Sequence, residues 1–190
     1  MVFGEMMKRT IGSGLVLLAM LGSSAAMAAV DQTGFYVGGF VGSTTLEVED
    51  FDKSEAGFGA YGGYNFNEWF GLESTLFVTS EYKLEDEDEA YAAAFTIAPK
   101  FTAVINDTFS VYGKLGLASM LVSVDTRLGD QDFYGVGFMW GLGVNAALTD
   151  NLNLRLGYES MSGDLEHEDF SRIEIDTDLS QINLGLHYQF

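Results

Sequence analysis

The chain has no cysteine. That excludes a disulfide scaffold, a thiolate metal site, a cysteine nucleophile and a lipoprotein anchor, since each needs sulfur at a defined position. Basic residues are scarce, 9 against 28 acids for a formal net charge of −19, so the cations that nucleic-acid binding draws on are missing. Charge of either sign is thin: 19% of residues are Asp, Glu, Lys or Arg, below the roughly 25% of soluble domains. Proline occurs once. Long apolar runs are also absent, the longest being the eleven mostly apolar residues from Ile11 to Leu21, which as a helix would rise only about 16 Å, half of a hydrocarbon core.

That run follows Lys8 and Arg9 and leads through Gly22-Ser23-Ser24-Ala25-Ala26 to Ala26-Met27-Ala28. A basic start, a short apolar stretch and a small-residue cleavage pattern make a secretory signal peptide over residues 1–28. The mature domain is then 29–190, with 27 acids, 7 bases and a formal charge of −20.

From Gly34 onward no long stretch has a helical apolar period, whereas alternation with period two recurs to the last residue. Ile182, Leu184, Leu186, Tyr188 and Phe190 share one face of a strand, and Gln181, Asn183, Gly185, His187 and Gln189 share the other. The alternation predicts eight strands, near 34–46, 56–66, 68–80, 91–105, 108–124, 133–148, 151–162 and 179–190. Three connections are tight Asn/Asp turns at 65–68, 105–108 and 148–151. The other four, 47–55, 81–90, 125–132 and 163–178, are long and hold 21 of the 28 acids with only Lys53, Lys83, Arg127 and Arg172 in return. All four fall at one end of the sheet, which therefore carries a formal −17.

An alternating barrel is either soluble with an apolar interior or membrane-embedded with an apolar exterior. The polar face decides between them. A water-facing sheet is rich in Lys, Glu and Thr, yet apart from the turn residue Glu68 the eight strands carry only Glu73, Lys100, Lys114, Arg155 and Glu159. The rest of that face reads mostly as Gly, Ala, Asn, Gln, Thr and Ser, which fit a narrow lumen. The five charges are expected to pair there, because an unpaired charge is costly to desolvate. The apolar face then meets lipid, and closure is required because an open edge would leave backbone groups unpaired in hydrocarbon. Tyr64, Phe66, Phe70, Phe109, Tyr188 and Phe190 gather at the short-turn end as an interfacial aromatic girdle.

Three segments carry a resemblance: Gly34-Phe35-Tyr36-Val37-Gly38-Gly39, the hairpin from Tyr64 to Glu73, and the closing Leu184-Gly185-Leu186-His187-Tyr188-Gln189-Phe190. With them the mature chain resembles the small bacterial outer-membrane barrels of the OmpA and OmpX type. The resemblance implies an eight-stranded antiparallel up-and-down transmembrane β-barrel in the outer membrane of a Gram-negative cell. It places the termini in the periplasm, the acidic loops outside, and outer-membrane lipid and lipopolysaccharide around the barrel. It also implies that the terminal Phe190 is read by the outer-membrane assembly machinery, and that the lumenal cluster of Glu73, Lys100, Lys114, Arg155 and Glu159 corresponds to the group's own. The peptidoglycan-binding domain that follows the barrel in OmpA has no counterpart before Phe190, so a cell-wall tether is not expected.

The remaining motifs give no catalytic or cofactor site. The run Glu85-Asp86-Glu87-Asp88-Glu89 lacks the turn glycine of a calcium loop and reads as a self-repelling loop tip. The acids of 163–178 are the better candidates for diffuse attraction of divalent cations. His167 lies four residues before Ser171, but neither it nor His187 has an evident nucleophile–base arrangement. The glycines of Gly135-Val136-Gly137 and Gly141-Leu142-Gly143 alternate within a strand and do not form a phosphate loop. The expected function is non-enzymatic: envelope integrity and surface interaction through the acidic loops. The alternatives are a narrow, low-conductance channel for small ions or solutes and, more weakly supported, a lipid-modifying enzyme.

Overall fold

The computed structural model describes residues 32–48, 51–80, 82–83, 89–126, 129–167 and 170–190. The predicted signal peptide and the tips Glu85–Asp88 and Glu168–Asp169 lie outside them. Nine strands follow in order: β1 (Gly34–Val48), β2 (Phe51–Asn65), β3 (Phe70–Thr79), β4 (Tyr82–Lys83), β5 (Glu89–Val104), β6 (Phe109–Thr126), β7 (Gly129–Ala147), β8 (Leu152–His167) and β9 (Phe170–Gln189). The two residues of β4 continue the line of β3 along β5, pairing Tyr82 with Ala90 and Lys83 with Glu89. The wall therefore has eight staves, each antiparallel to the next, and β1 against β9 together with β3 against β5 leaves no open edge.

The register sets the shape of the cylinder. Pairing runs from Leu46 to Leu179, Met161, Met139 and Gly116, continues from Ala98 through Glu73 to Gly63, and returns to β1 at Tyr36, ten residues below its start. An offset of that size around eight strands tilts them by about 40° and leaves a bore that side chains can fill.

At one end the turns are short and closed by side chains. Asn67 Oδ1 accepts from Trp69 N (3.0 Å) and Phe70 N (2.8 Å), and Asn106 Oδ1 accepts from Thr108 N (2.9 Å) and Phe109 N (2.8 Å). Thr149 Oγ1 accepts from Leu152 N at 3.0 Å. These side chains imitate a backbone turn and so end each strand abruptly. At the other end the strands run further than the alternation predicts. β1 and β2 stay paired to Val48 and Phe51, β6 and β7 to Thr126 and Gly129, and β8 and β9 to His167 and Phe170 after a register shift at Glu166/His167. The acidic connections are thus mostly extended hairpins rather than long loops. Beyond the membrane neither face of a hairpin needs to be apolar, so the two-residue signal fades while backbone pairing continues.

The apolar face points outward. Phe35, Val41, Leu76, Phe95, Leu117, Phe138, Leu156 and Leu184 are all exposed, whereas the intervening side chains are buried. The belt ends where hydroxyl and acidic side chains replace hydrocarbon: Ser160 pairs with Ser180, and Ser180 with Thr45, and one step further Ser162 and Asp178 are exposed. From Ser180 to Phe190 the strand climbs about 25 Å at that tilt, the height of an outer-membrane apolar band. The girdle residues sit at the opposite boundary. Tyr64, Phe66, Tyr188 and Phe190 are exposed, and Phe70 and Phe109 are half-buried. Phe35, Trp69 and Phe101 join them, with ring centroids 4.7 Å apart for Phe35–Tyr64 and 5.5 Å for Phe70–Phe101.

Leu184, midway up the belt, tests this assignment. In lipid vesicles Leu184→Arg should lower unfolding free energy by about 2–4 kcal/mol, whereas Ser162→Arg, past the boundary, should cost about 0–1 kcal/mol. Denaturant titration distinguishes the two, and equal costs would contradict an outward apolar face.

Candidate functional site

The lumen is crowded. Its glycines are recesses for rings that cross the bore: a β-carbon on Gly143 would come within 2.6 Å of Tyr112 Oη, and one on Gly63 within 2.7 Å of Tyr36 Cζ. Tyr36, Tyr61 and Tyr112 are each less than 5% exposed as a result. Most of the lumenal face is Gly, Ala, Asn, Gln, Thr and Ser, as its sequence reads, and the rings stand among these small residues. Large side chains alternate with glycine, because a ring on one strand needs an empty position on the neighbour it leans across.

Among these rings the structure brings together all five charged residues predicted for the lumen. Glu73, from β3, is the hub. Its Oε1 accepts from Lys114 Nζ at 2.8 Å, and its Oε2 accepts from Arg155 Nη1 and from Tyr36 Oη, both at 2.7 Å. Lys100 Nζ lies 3.9 Å from Glu73 Oε2 and 3.9 Å from the centroid of the Tyr36 ring. Lys114 Nζ also donates to Glu159 Oε1 at 2.8 Å, so it bridges the two carboxylates. Arg155 donates from Nε to Asn145 Oδ1 at 3.0 Å, and its guanidinium carbon stands 4.3 Å from the Tyr61 ring centroid and 4.5 Å from that of Tyr112.

The five charged side chains are all nearly inaccessible. Burying charges is costly, and the arrangement meets that cost with short charge-assisted hydrogen bonds and aromatic faces. Three cations face two carboxylates, and the tyrosine rings turn their negative faces toward Lys100 and Arg155. The network joins β3, β5, β6 and β8 across the bore and so ties the wall together.

His187, on β9, adjoins this network. Its Nδ1 lies 3.1 Å from Tyr61 Oη, and its ring is 5.4 Å from that of Tyr36. Sequence reasoning placed it in the lumen but missed its tyrosine partners. Their only signal was parity: Tyr36, Tyr61 and Tyr112 occupy the charged face of their strands. Phe190, at the chain end, donates its backbone N–H to Phe35 O at 2.9 Å and leaves its ring exposed. The side chains of His167 and Ser171 lie outside the described residues. Among the described residues no group of His, Asp and Glu could hold a metal ion.

A closed eight-stranded cylinder, apolar outside and filled with ions and rings inside, defines a small transmembrane barrel of the bacterial outer membrane. The chain belongs to the outer membrane protein beta-barrel domain family, whose model matches residues 14–190. It is 29% identical over 170 residues to the 22 kDa outer membrane protein of Rhizobium leguminosarum bv. viciae, covering 83% of this chain and 77% of that one. Outer membrane protein A of Escherichia coli O157:H7 is 28% identical over 197 residues, covering 97% of this chain, which spans 55% of that longer protein. In structure the barrel is similar to Neisserial surface protein A, with a TM-score of 0.70 at 16% identity over 83% of this chain and 98% of the other. The family is one of non-enzymatic outer-membrane barrels.

Removing the hub should expose its importance. Glu73→Gln leaves buried cations without their shared carboxylate and should lower stability by about 3–5 kcal/mol. Because Arg155 acts through the same carboxylate, adding Arg155→Leu should cost less than the two separate losses combined. Urea titration of the four proteins measures both, and strict additivity would mean that the pair does not interact.

Proposed function

We propose that the barrel is a closed surface protein, contributing to envelope integrity through its wall and to surface interaction through the acidic hairpins. The observation that carries this reading is the buried Glu73 network, which spans the bore from β3 to β8 and leaves the hairpin end as the interactive surface. In this reading the acidic hairpins face the medium, the short turns face the periplasm, and Phe190 is the end presented to the assembly machinery. A formal −17 concentrated at one end attracts cations and cationic partners and repels polyanions. Divalent ions shared between these hairpins and lipopolysaccharide phosphates would tie the protein to its lipid surroundings.

The second reading, a narrow channel, requires the ionic network to open. Planar-bilayer recording of the wild-type protein should show no steps; regular steps would replace the closed-barrel reading with the channel. Protease added to intact cells should cut within the acidic hairpins and spare the turns at 66–69 and 105–108. Replacing 164–176 by a short turn should leave a compact, heat-modifiable barrel while reducing adhesion of the cells to cationic surfaces. Undiminished adhesion would assign surface interaction to another part of the molecule.

A further inference from the structure

The ionic network is not the whole of the filling. Moving toward the hairpin end, the lumen changes character within a few residues on each strand. Phe77 follows Glu73 by four positions on β3, Met120 follows Lys114 by six on β6, and Met161 follows Glu159 by two on β8. Leu46, Leu179, Met161 and Met139 form one continuous line of paired positions across β1, β9, β8 and β7. Phe77, Met120, Met139, Met161 and Leu179 are each at most 1% exposed, and Ala92, Ala94, Ala118 and Val122 belong to the same buried cluster, which continues through Phe40 to the rings of Tyr61 and Tyr36.

Polar groups divide between the two storeys. Among the described residues, the buried side-chain atoms without a protein partner belong to Thr75, Thr96, Tyr112, Asn153, Arg155 and Glu159; all but Thr96, which pairs with Ala118 at the edge of the apolar storey, lie at or beside the ionic storey, where water has something to bind. Gln181 enters the apolar storey from β9, but its amide is engaged by Thr44 Oγ1 at 3.2 Å and Asn183 Nδ2 at 3.3 Å. Thr79 Oγ1 is likewise engaged, accepting from Ala92 N at 2.9 Å.

We infer that the lumen is sealed by two barriers in series, an ionic lock built on Glu73 and, toward the hairpins, a dry plug of Phe77, Met120, Met139, Met161 and Leu179. A narrow passage lined by hydrocarbon and thioether excludes ions by refusing to wet, and unbranched methionines fill the irregular gaps among larger neighbours. The two barriers fail independently. Breaking the ionic pairs frees polar groups that water can solvate, yet leaves an apolar constriction above them. Making the plug polar leaves charged side chains pinned across the bore below it. Neither change alone opens a path, so the methionine layer, as much as the salt bridges, determines whether this barrel conducts.

This inference rests on the closed-barrel reading, and one experiment separates their failures. Wild type, Glu73→Gln, Met139→Gln/Met161→Gln and the combination of all three changes are refolded, and heat-modifiable migration on gels selects the folded barrels for planar-bilayer recording. Steps are expected for the combined variant only, with Met139→Leu/Met161→Leu in the Glu73→Gln background remaining silent. Steps from Glu73→Gln alone, or from the methionine pair alone, would overturn the two-barrier inference while leaving the closed wild type intact. Steps from the wild type would overturn the closed-barrel reading itself, and silence of a folded combined variant would overturn the inference that these two barriers are what seals the lumen. If the combined variant does not fold, Glu73→Gln with Leu179→Asn replaces it, with the same outcomes decisive.

Discussion

Every backbone amide and carbonyl of a strand crossing hydrocarbon must find a partner within the protein, and this requirement governs the rest of the structure. It forces the sheet to close, and pairing of β1 with β9 and of β3 with β5 meets it. Closure of eight staves with a ten-residue offset then fixes a narrow bore. A bore of that width must be filled, since voids forfeit the dispersion contacts of their lining. The problem that water solves for a porin is solved here by side chains.

The filling has three kinds of material, each with its own physical logic. Aromatic rings lie over glycines, so that Tyr36 and Tyr112 reach across neighbouring strands among the charged groups. Charged groups occupy the middle, where Glu73 gathers Lys114 and Arg155 by direct ion pairs of 2.8 and 2.7 Å and Glu159 is joined through Lys114. Methionine, leucine and phenylalanine occupy the storey beneath the hairpins. The tyrosines connect the first two layers, offering a hydroxyl to Glu73 and ring faces to Arg155 and Lys100. In the proposed closed-barrel reading, the groups that cross-link the wall are also those that obstruct it.

The outer surface separates the roles of the two ends. At the short-turn end, asparagine and threonine side chains terminate the strands and an aromatic ring system marks the membrane boundary. At the opposite end the hairpins stand clear of the apolar belt, which ends at the hydroxyl row of Ser160, Ser180 and Thr45. Acidic residues dominate these extensions in the sequence. The two ends of the protein therefore differ in chemistry, aromatic at the short turns and polar at the hairpins.

What the sequence determined by itself is whatever depends on periodicity and local chemistry. Alternation along Gln181–Phe190 assigned each side chain to lipid or lumen, and parity placed Glu73, Lys100, Lys114, Arg155 and Glu159 on one face. Asn67, Asn106 and Thr149 announced the turns because their hydrogen bonds are made within three residues. The strand extensions past Val48, Thr126 and His167 were not legible, since a hairpin wet on both faces keeps its backbone pairing without a pattern in its side chains. Nor were the identities of the partners. Met139 and Met161, 22 residues apart, meet through the hairpin register of β7 and β8, whereas Glu73 and Arg155, 82 apart, meet only because the cylinder closes. The tertiary structure alone decided that the five charges form one network around Glu73 and that an apolar storey lies above it. Periodicity says which way a side chain points, whereas the closing of the sheet determines what it meets.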